Sequence, residues 1–584
     1  MVIRLMKKSN SVLSNNLFML KEVIGVIPLY VIGTFCLTIA RAIVNAYVNV
    51  YLIKYVVDAI QFKAQYQDIL VSVFWAAAAF LLHKLLESGF INILAPKMTQ
   101  KLNYSMQMSL FCKAREIDIE KYDQPQFYND FILSMQNADA KAIDVVDTIN
   151  TLIYNLTSIS AMVAIIASID TIGLVFALIN VTFAYFINIK TAKTNYKKEL
   201  ELVPPRRLGE YVRRVFYLPE YAKEIRMSNI KNVLVKNYKL SVDESKGVIK
   251  KYSRLLTALN FTNYGFFRTF LMRGVYLIIL AYRLVIQHSV SFGEFLALYN
   301  GSWEFKNNLE AIINIVPRIV ENSMYIAKYR AFVTTESAIK KIAGNDPLPA
   351  KPSKIEFRNV SFRYSENSDF VLKNINLVIE PYEKLAIYGL NGAGKTTLIK
   401  LLLRLYMPTE GEILLDGKNI NTYSLKDYYK YIGVVFQDFQ LFSFSIAENV
   451  LLDKYLPEDE QKVTEALEIL SFDNRLSKTS QGIATLVSKE FDSSGVDFSG
   501  GERQKIALAR TMVRDFSILI FDEPASALDP ISEYEVNKAI WQSTKGKTVI
   551  CISHRINANV KADRTIYMRD GQIVDDSELK AIYQ

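Results

Sequence analysis

Long apolar stretches fill the first 330 or so residues, and short apolar runs broken by turns fill the rest. A bilayer core of about 30 Å needs roughly twenty mostly apolar helical residues. Six stretches meet that length, at 23–53, 69–94, 148–167, 172–189, 255–286 and 292–319. Only Ser168-Ile169-Asp170-Thr171 joins the third to the fourth, and only Gln287-His288-Ser289-Val290-Ser291 joins the fifth to the sixth, so both connections are tight turns. Two other connections, 96–147 and 190–254, are long and carry many basic residues, among them Lys97, Lys101, Lys113, Lys190, Arg206 and Arg213. Basic loops stay on the cytoplasmic side, which places both connections and both termini there. With no Gly/Ser run or repeat, they read as the span helices continuing into the cytoplasm, with short turns or helices at tips near Tyr122 and Tyr221.

Charges inside the spans need a cavity or a partner, because hydrocarbon penalises them. Counted from the outer ends at about 1.5 Å per residue, Arg41, His83, Arg273 and Glu304 fall at one level. That level lies roughly 18 to 22 Å deep. One reading is a polar substrate cavity between spans. The other is local pairing, His83 with Glu87 and Lys306 with Glu310 at four-residue spacing, or charges already in cytoplasmic water. The sixth stretch is itself polar, with Asn300, Ser302, Asn307 and Asn308 among apolar positions, as suits a water-filled pathway.

The pattern changes at 334–353, where Pro347, Pro349 and Pro352 mark a linker. Beyond it the apolar runs shorten, as in a sheet-containing soluble domain covering 354–584. Here Lys384-Leu385-Ala386-Ile387-Tyr388 leads into Gly389-Leu390-Asn391-Gly392-Ala393-Gly394-Lys395-Thr396-Thr397, and Leu398-Ile399-Lys400-Leu401 follows. Strand, glycine loop and helix in that order form the P-loop context: backbone N–H groups turn toward phosphates, Lys395 reaches the outer ones, and Thr396 ligates Mg²⁺. Downstream, the apolar run Ile518-Leu519-Ile520-Phe521 ends in Asp522-Glu523. An acid at the end of a buried strand suits Mg²⁺, and its neighbour Glu523 can take a proton from an attacking water.

Composition adjusts this picture in two places. Apolar residues make up 51% of the 584, with a mean hydropathy of +0.12, which favours several membrane spans. The net charge of +10 fits nucleic acid or an anionic membrane surface, and the spans select the membrane, so no nucleic-acid partner is expected. Cys36, Cys112 and Cys551 are too scattered for a disulfide framework or a metal site and read as inert buried or interfacial thiols. Residues 1–15 show no signal-peptide core, consistent with an N-terminus that stays in the cytoplasm.

The order of motifs in the second half resembles the ATPase domain of ATP-binding cassette (ABC) transporters, and the whole chain resembles an exporter-type half-transporter. The fold implied is a membrane α-helical domain with six transmembrane helices, 1–333, followed by an α/β P-loop ATPase domain. Ser499-Gly500-Gly501-Glu502 resembles the family's signature sequence. The resemblance implies Tyr364 stacking on adenine, Gln437 sensing Mg²⁺ and water, Ser526-Ala527-Leu528-Asp529 at a dimer seam, and His554 on the γ-phosphate. It also implies that the tips near Tyr122 and Tyr221 dock on ATPase domains. The chain departs from the pattern at Glu502, where Gln is usual, at Phe498, where Leu is common, and at Asp492-Ser493-Ser494-Gly495, where many exporters carry Glu and Arg.

One chain with one ATPase domain implies a second half-transporter, a homodimer first and a heterodimer as the alternative. ATP would lie between one subunit's P-loop and the other's Ser499. The function expected is ATP-driven export across the plasma membrane, with ATP and Mg²⁺ as cofactors. Mixed charges and many Tyr and Asn favour a polar or amphipathic peptide as cargo. A lipid or multidrug exporter is the alternative, with an ATP-gated channel or regulator behind it. No cysteine-protease domain precedes the spans, so self-trimming of a leader peptide is not expected.

Overall fold

A computed structural model describes residues 9–525, 528–553 and 562–574, apart from a few helical side chains that include Arg273. His554, Ser526 and Ala527 lie outside the described residues. The described residues divide into two compact units, one drawn from Met1–Phe111 and Asp130–Val333, the other from Cys112–Asn129 and Thr334–Gln584.

The first unit is helical. Among the described residues, five helices are long and apolar enough to cross a membrane: Pro28–Gln61, Tyr66–Glu116, Ala138–Ala167, Ile172–Tyr217 and Ile230–Val285. They correspond to the first five apolar stretches of the sequence, and each runs well past the apolar part. The sixth stretch lies in the helix Phe292–Thr334, which is not among those five: Ser302, Glu304, Lys306, Asn307, Asn308 and Glu310 interrupt its apolar run, and of these Ser302, Lys306 and Asn308 are buried. On the second helix Phe74, Trp75, Leu81, Leu82 and Leu85 are all more than half exposed. Water would penalise so continuous an apolar face, whereas lipid accepts it.

The second unit is built on two sheets. β1 (Ile355–Phe362), β2 (Leu372–Ile379), β4 (Glu410–Leu415) and β5 (Lys418–Asn419) form an antiparallel sheet in the order β2-β1-β4-β5. The other runs β10-β9-β3-β8-β7-β6, from β3 (Lys384–Gly389), β6 (Ile432–Val435), β7 (Ile518–Asp522), β8 (Thr548–Ser553), β9 (Arg564–Arg569) and β10 (Gln572–Val574). Its neighbours from β9 to β6 are parallel. Strands of this kind are buried on both faces and read as unbroken apolar runs; Ile518 to Asp522 are buried without exception. Cys551 on β8 shares that interior, and burial pushes its thiol up to about 12.

Within the linker region, Ser337 caps a short helix, Ala338–Ile342, by accepting from Lys340 N at 3.0 Å. The segment around Asp118 belongs to this same unit. Asp118 accepts from the Ser337 hydroxyl and from the Ala338 N–H at 2.7 Å, and Glu116 pairs with Lys340 at 2.8 Å.

Candidate functional site

Parallel register decides where the site lies. β3 pairs Tyr388 with Ser553 of β8, β7 pairs Asp522 with Ile552 of β8, and β6 pairs Val435 with Phe521. The carboxyl ends of adjacent strands therefore deliver the glycine loop, Asp522-Glu523 and Gln437 to one edge, where ligands of open parallel sheets bind.

The loop's shape depends on its glycines. Gly389 approaches the backbone so closely that a Cβ there would stand 2.3 Å from the Met568 carbonyl oxygen. Gly394, at φ +97°, caps the helix Lys395–Leu402 in a left-handed conformation that a side chain would strain. Lys395 is buried, and its ammonium donates to the carbonyls of Gly389 at 2.7 Å and Leu390 at 3.0 Å. Burial lowers the Lys395 pKa, against the upward pull of Glu523 and Asp522. Asn391 and Gly392 are exposed at the loop's tip.

Next to the lysine, the Thr396 hydroxyl donates to Asp522 Oδ2 at 2.8 Å. Asp522 is 1% exposed, and burial raises its pKa in spite of that hydrogen bond. A hydroxyl and a desolvated carboxylate in contact are hard oxygen donors of the kind Mg²⁺ takes, and a cation there would restore the solvation the acid has lost. The donor set thus fits the metal. One residue further, Glu523 sits at φ +51° and accepts from Gln437 Nε2 at 2.8 Å.

On the other side of the loop the Tyr364 hydroxyl lies 3.0 Å from Thr397 Oγ1, while its ring meets Tyr406 edge-on with centroids 5.3 Å apart. Tyr406 in turn donates its hydroxyl to Asp123. Nothing in the sequence pointed to Tyr406, because a tyrosine after an apolar helix carries no pattern of its own.

The Ser499 segment is a helix start. Ser499 caps Gly500–Ala509, its hydroxyl accepting from Glu502 N at 3.3 Å while the Glu502 carboxylate accepts from Ser499 N at 2.8 Å. Arg475 Nε stands 2.9 Å from the other oxygen of Glu502, and its guanidinium lies 5.3 Å from the centre of the Phe498 ring. Both departures from the expected signature therefore have local partners: the acid closes a capping box, and the aromatic packs beneath an arginine and against Phe472. Asp529 caps the helix Pro530–Ser543 through the N–H groups of Ile531 and Ser532, both at 3.1 Å.

Two of the charges read as a cavity level, Arg41 and His83, stand on different helices, Pro28–Ala46 and Tyr66–Gly89. Arg41 pairs with Glu87 at 3.5 Å and lies over the Tyr154 ring at 4.6 Å, while Glu87 also pairs with Lys84 at 2.6 Å. His83 is buried, 3.0 Å from the Leu37 carbonyl, so Arg41 and His83 belong to one neighbourhood. Glu304 is half-buried on the helix Phe292–Thr334, where Lys306 pairs with Glu310 at 2.6 Å. The Arg273 side chain lies outside the described residues.

Residues 372–526 match the family model described as ABC transporter. The chain is 27% identical to the subtilin transport ATP-binding protein of Bacillus subtilis, over 82% of this chain and 77% of that one. It is 28% identical to the nisin transport ATP-binding protein of Lactococcus lactis subsp. lactis, over 82% and 80%. Identity rises to 38% with the alpha-hemolysin translocation ATP-binding protein of Proteus vulgaris, over 41% of this chain and 33% of that one. A helical half with several apolar spans and a sheet-containing unit whose P-loop and buried acid meet at one edge are what an exporter-type ABC half-transporter carries, and this chain is similar to that family.

Proposed function

We propose that this chain is an ATP-driven exporter that moves a peptide out of the cytoplasm across the plasma membrane, working as a homodimer. The observation that carries the reading is the contact of Thr396 with Asp522, beside Lys395 and the Gln437–Glu523 pair. Its relatives named for subtilin and nisin transport supply the cargo class.

Residues 1–333 form the membrane domain, 334–353 the linker and 354–584 the nucleotide-binding domain. Phe292–Thr334 supplies the sixth span, its buried polar side facing the pathway, and both termini lie in the cytoplasm. Gly389, Asn391, Gly392, Gly394, Lys395 and Thr397 hold the phosphates of ATP, and Tyr364 stacks on the base. Thr396, Asp522 and Gln437 hold Mg²⁺, which when bound neutralises charge on the phosphate oxygens. Glu523, held by Gln437, takes a proton from the attacking water, and His554 contacts the γ-phosphate. Ser499, Gly500, Gly501 and Glu502 meet the nucleotide of the other subunit, with Asp529 at the seam. ATP drawn between two such halves closes them and turns the cavity around Arg41, His83, Arg273 and Glu304 outward; hydrolysis resets it.

Inverted membrane vesicles containing the protein test this reading. They should accumulate a subtilin-like peptide against its gradient when given ATP. Equilibration without accumulation would mean a channel, and stimulation by lipids or drugs alone would replace the cargo class.

A further inference from the structure

One buried side chain ties the helix that opens at Ser499 to the backbone of Glu523. Gln504 is 2% exposed on Gly500–Ala509, and its Nε2 donates to the Glu523 carbonyl at 3.2 Å. An amide in such an interior is costly unless it is used, and Leu or Met would fill the same space without that cost.

The group it grips is strained. Glu523 stands at φ +51°, a region that disfavours a residue with a side chain and persists only where the surroundings fix it. Contacts on each side fix it: the Glu523 N–H donates to the Ile552 carbonyl at 3.1 Å, Gln437 holds the carboxylate at 2.8 Å, and Gln504 holds the carbonyl. The first two come from the strand and loop that frame the site. The third comes from another helix. A shift of Gly500–Ala509 along its axis would pull the peptide after Glu523 and re-aim the carboxylate.

We propose that Gln504 is a positioning residue for ATP hydrolysis, passing the placement of the Ser499 helix to the carboxylate of Glu523. The proposal rests on Glu523 being the proton acceptor. It also gives the two sites of a dimer a physical link: nucleotide seated against Ser499 belongs to one site, and the acid moved through Gln504 belongs to the other.

Gln504→Met in the purified full-length protein keeps the length and removes the donor. Its kcat for ATP should fall about tenfold, because the carboxylate is no longer aimed, with KM for ATP unchanged and Tm lowered by at most the few degrees that one lost hydrogen bond costs. Combined with Glu523→Gln, it should cause no further loss, because the aim of a missing carboxylate no longer matters. Gln504→Glu, nearly equal in shape, should lose more at neutral pH than at low pH, since only the protonated acid can donate. Turnover of Gln504→Met within twofold of the parent would overturn the proposal. So would additive loss in the double variant, or a Gln504→Glu deficit that does not change with pH. Full turnover in Glu523→Gln alone would remove the base assignment itself, so that failure is told apart from failure of the link.

Discussion

Gln437 and Glu523 meet side chain to side chain, the amide donating to the carboxylate at 2.8 Å. In the mechanism proposed, Glu523 must point at its water, and this contact holds the acid in one orientation. Glu523→Gln should cut ATP turnover a hundredfold or more, about the usual weight of general acid–base catalysis, and leave ATP binding intact. Gln437→Ala keeps the acid but frees it, so its loss should be smaller. Phosphate release and equilibrium nucleotide binding, measured side by side, separate the two.

Asp522 carries a cost that shows in the metal-free protein. Burial raises its pKa, so the folded state holds this proton to a higher pH than the unfolded chain does. Stability therefore falls as pH rises from the ordinary aspartate pKa through the raised one, and stays lower above it. Asp522→Asn removes that charge. Its Tm without Mg²⁺ should exceed the parent's at neutral pH, the gap should close in acid, and ATPase activity should be lost.

Glu502 does two jobs that substitutions can separate. Glu502→Ala leaves the Ser499 N–H without its acceptor and opens half of the capping box, which should cost about 1 kcal/mol of stability. Glu502→Gln keeps a group able to accept from Ser499 N and loses only the ion pair with half-exposed Arg475, a change of less than about 1 kcal/mol. Denaturant unfolding of the detergent-solubilised protein should rank the alanine variant below the glutamine variant.

The bond from Tyr406 to Asp123 ties the segment 112–129 to the neighbour of Tyr364 within one unit. Burial, and next the Asp123 carboxylate, push the Tyr406 hydroxyl well above its ordinary range, so the phenol stays a donor at any working pH. Tyr406→Phe keeps the ring against Tyr364 and deletes the donor. Peptide stimulation of the ATPase should drop severalfold, with the unstimulated rate close to the parent's. Equal stimulation in the two proteins would show that the bond carries no signal.

The glycine loop and the acid at the end of β7 were legible because their chemistry demands fixed residue types in fixed order. The five long apolar helices were legible by length alone. A sixth stretch reads by length as well, but its helix buries Ser302, Lys306 and Asn308 and falls short of the apolar measure that the other five meet. Gln504 stayed hidden for a different reason: its partner is a backbone carbonyl, and carbonyls leave no trace in sequence. Glu502 looked like a flaw in the signature until Arg475 and the Ser499 N–H appeared beside it. Four-residue spacing pairs His83 with Glu87, whereas Arg41, which pairs with Glu87, comes from another helix and cannot be read from spacing.

Because residues 112–129 cluster with the part of the chain beyond 334, the ATPase unit is not one continuous cassette. A chimera cut at the linker would carry away Tyr406, Ser337 and Lys340 but leave behind Asp123, Asp118 and Glu116. Grafting this engine onto another set of spans, or another engine onto these, requires two splices made together, and natural recombination between such transporters faces the same constraint.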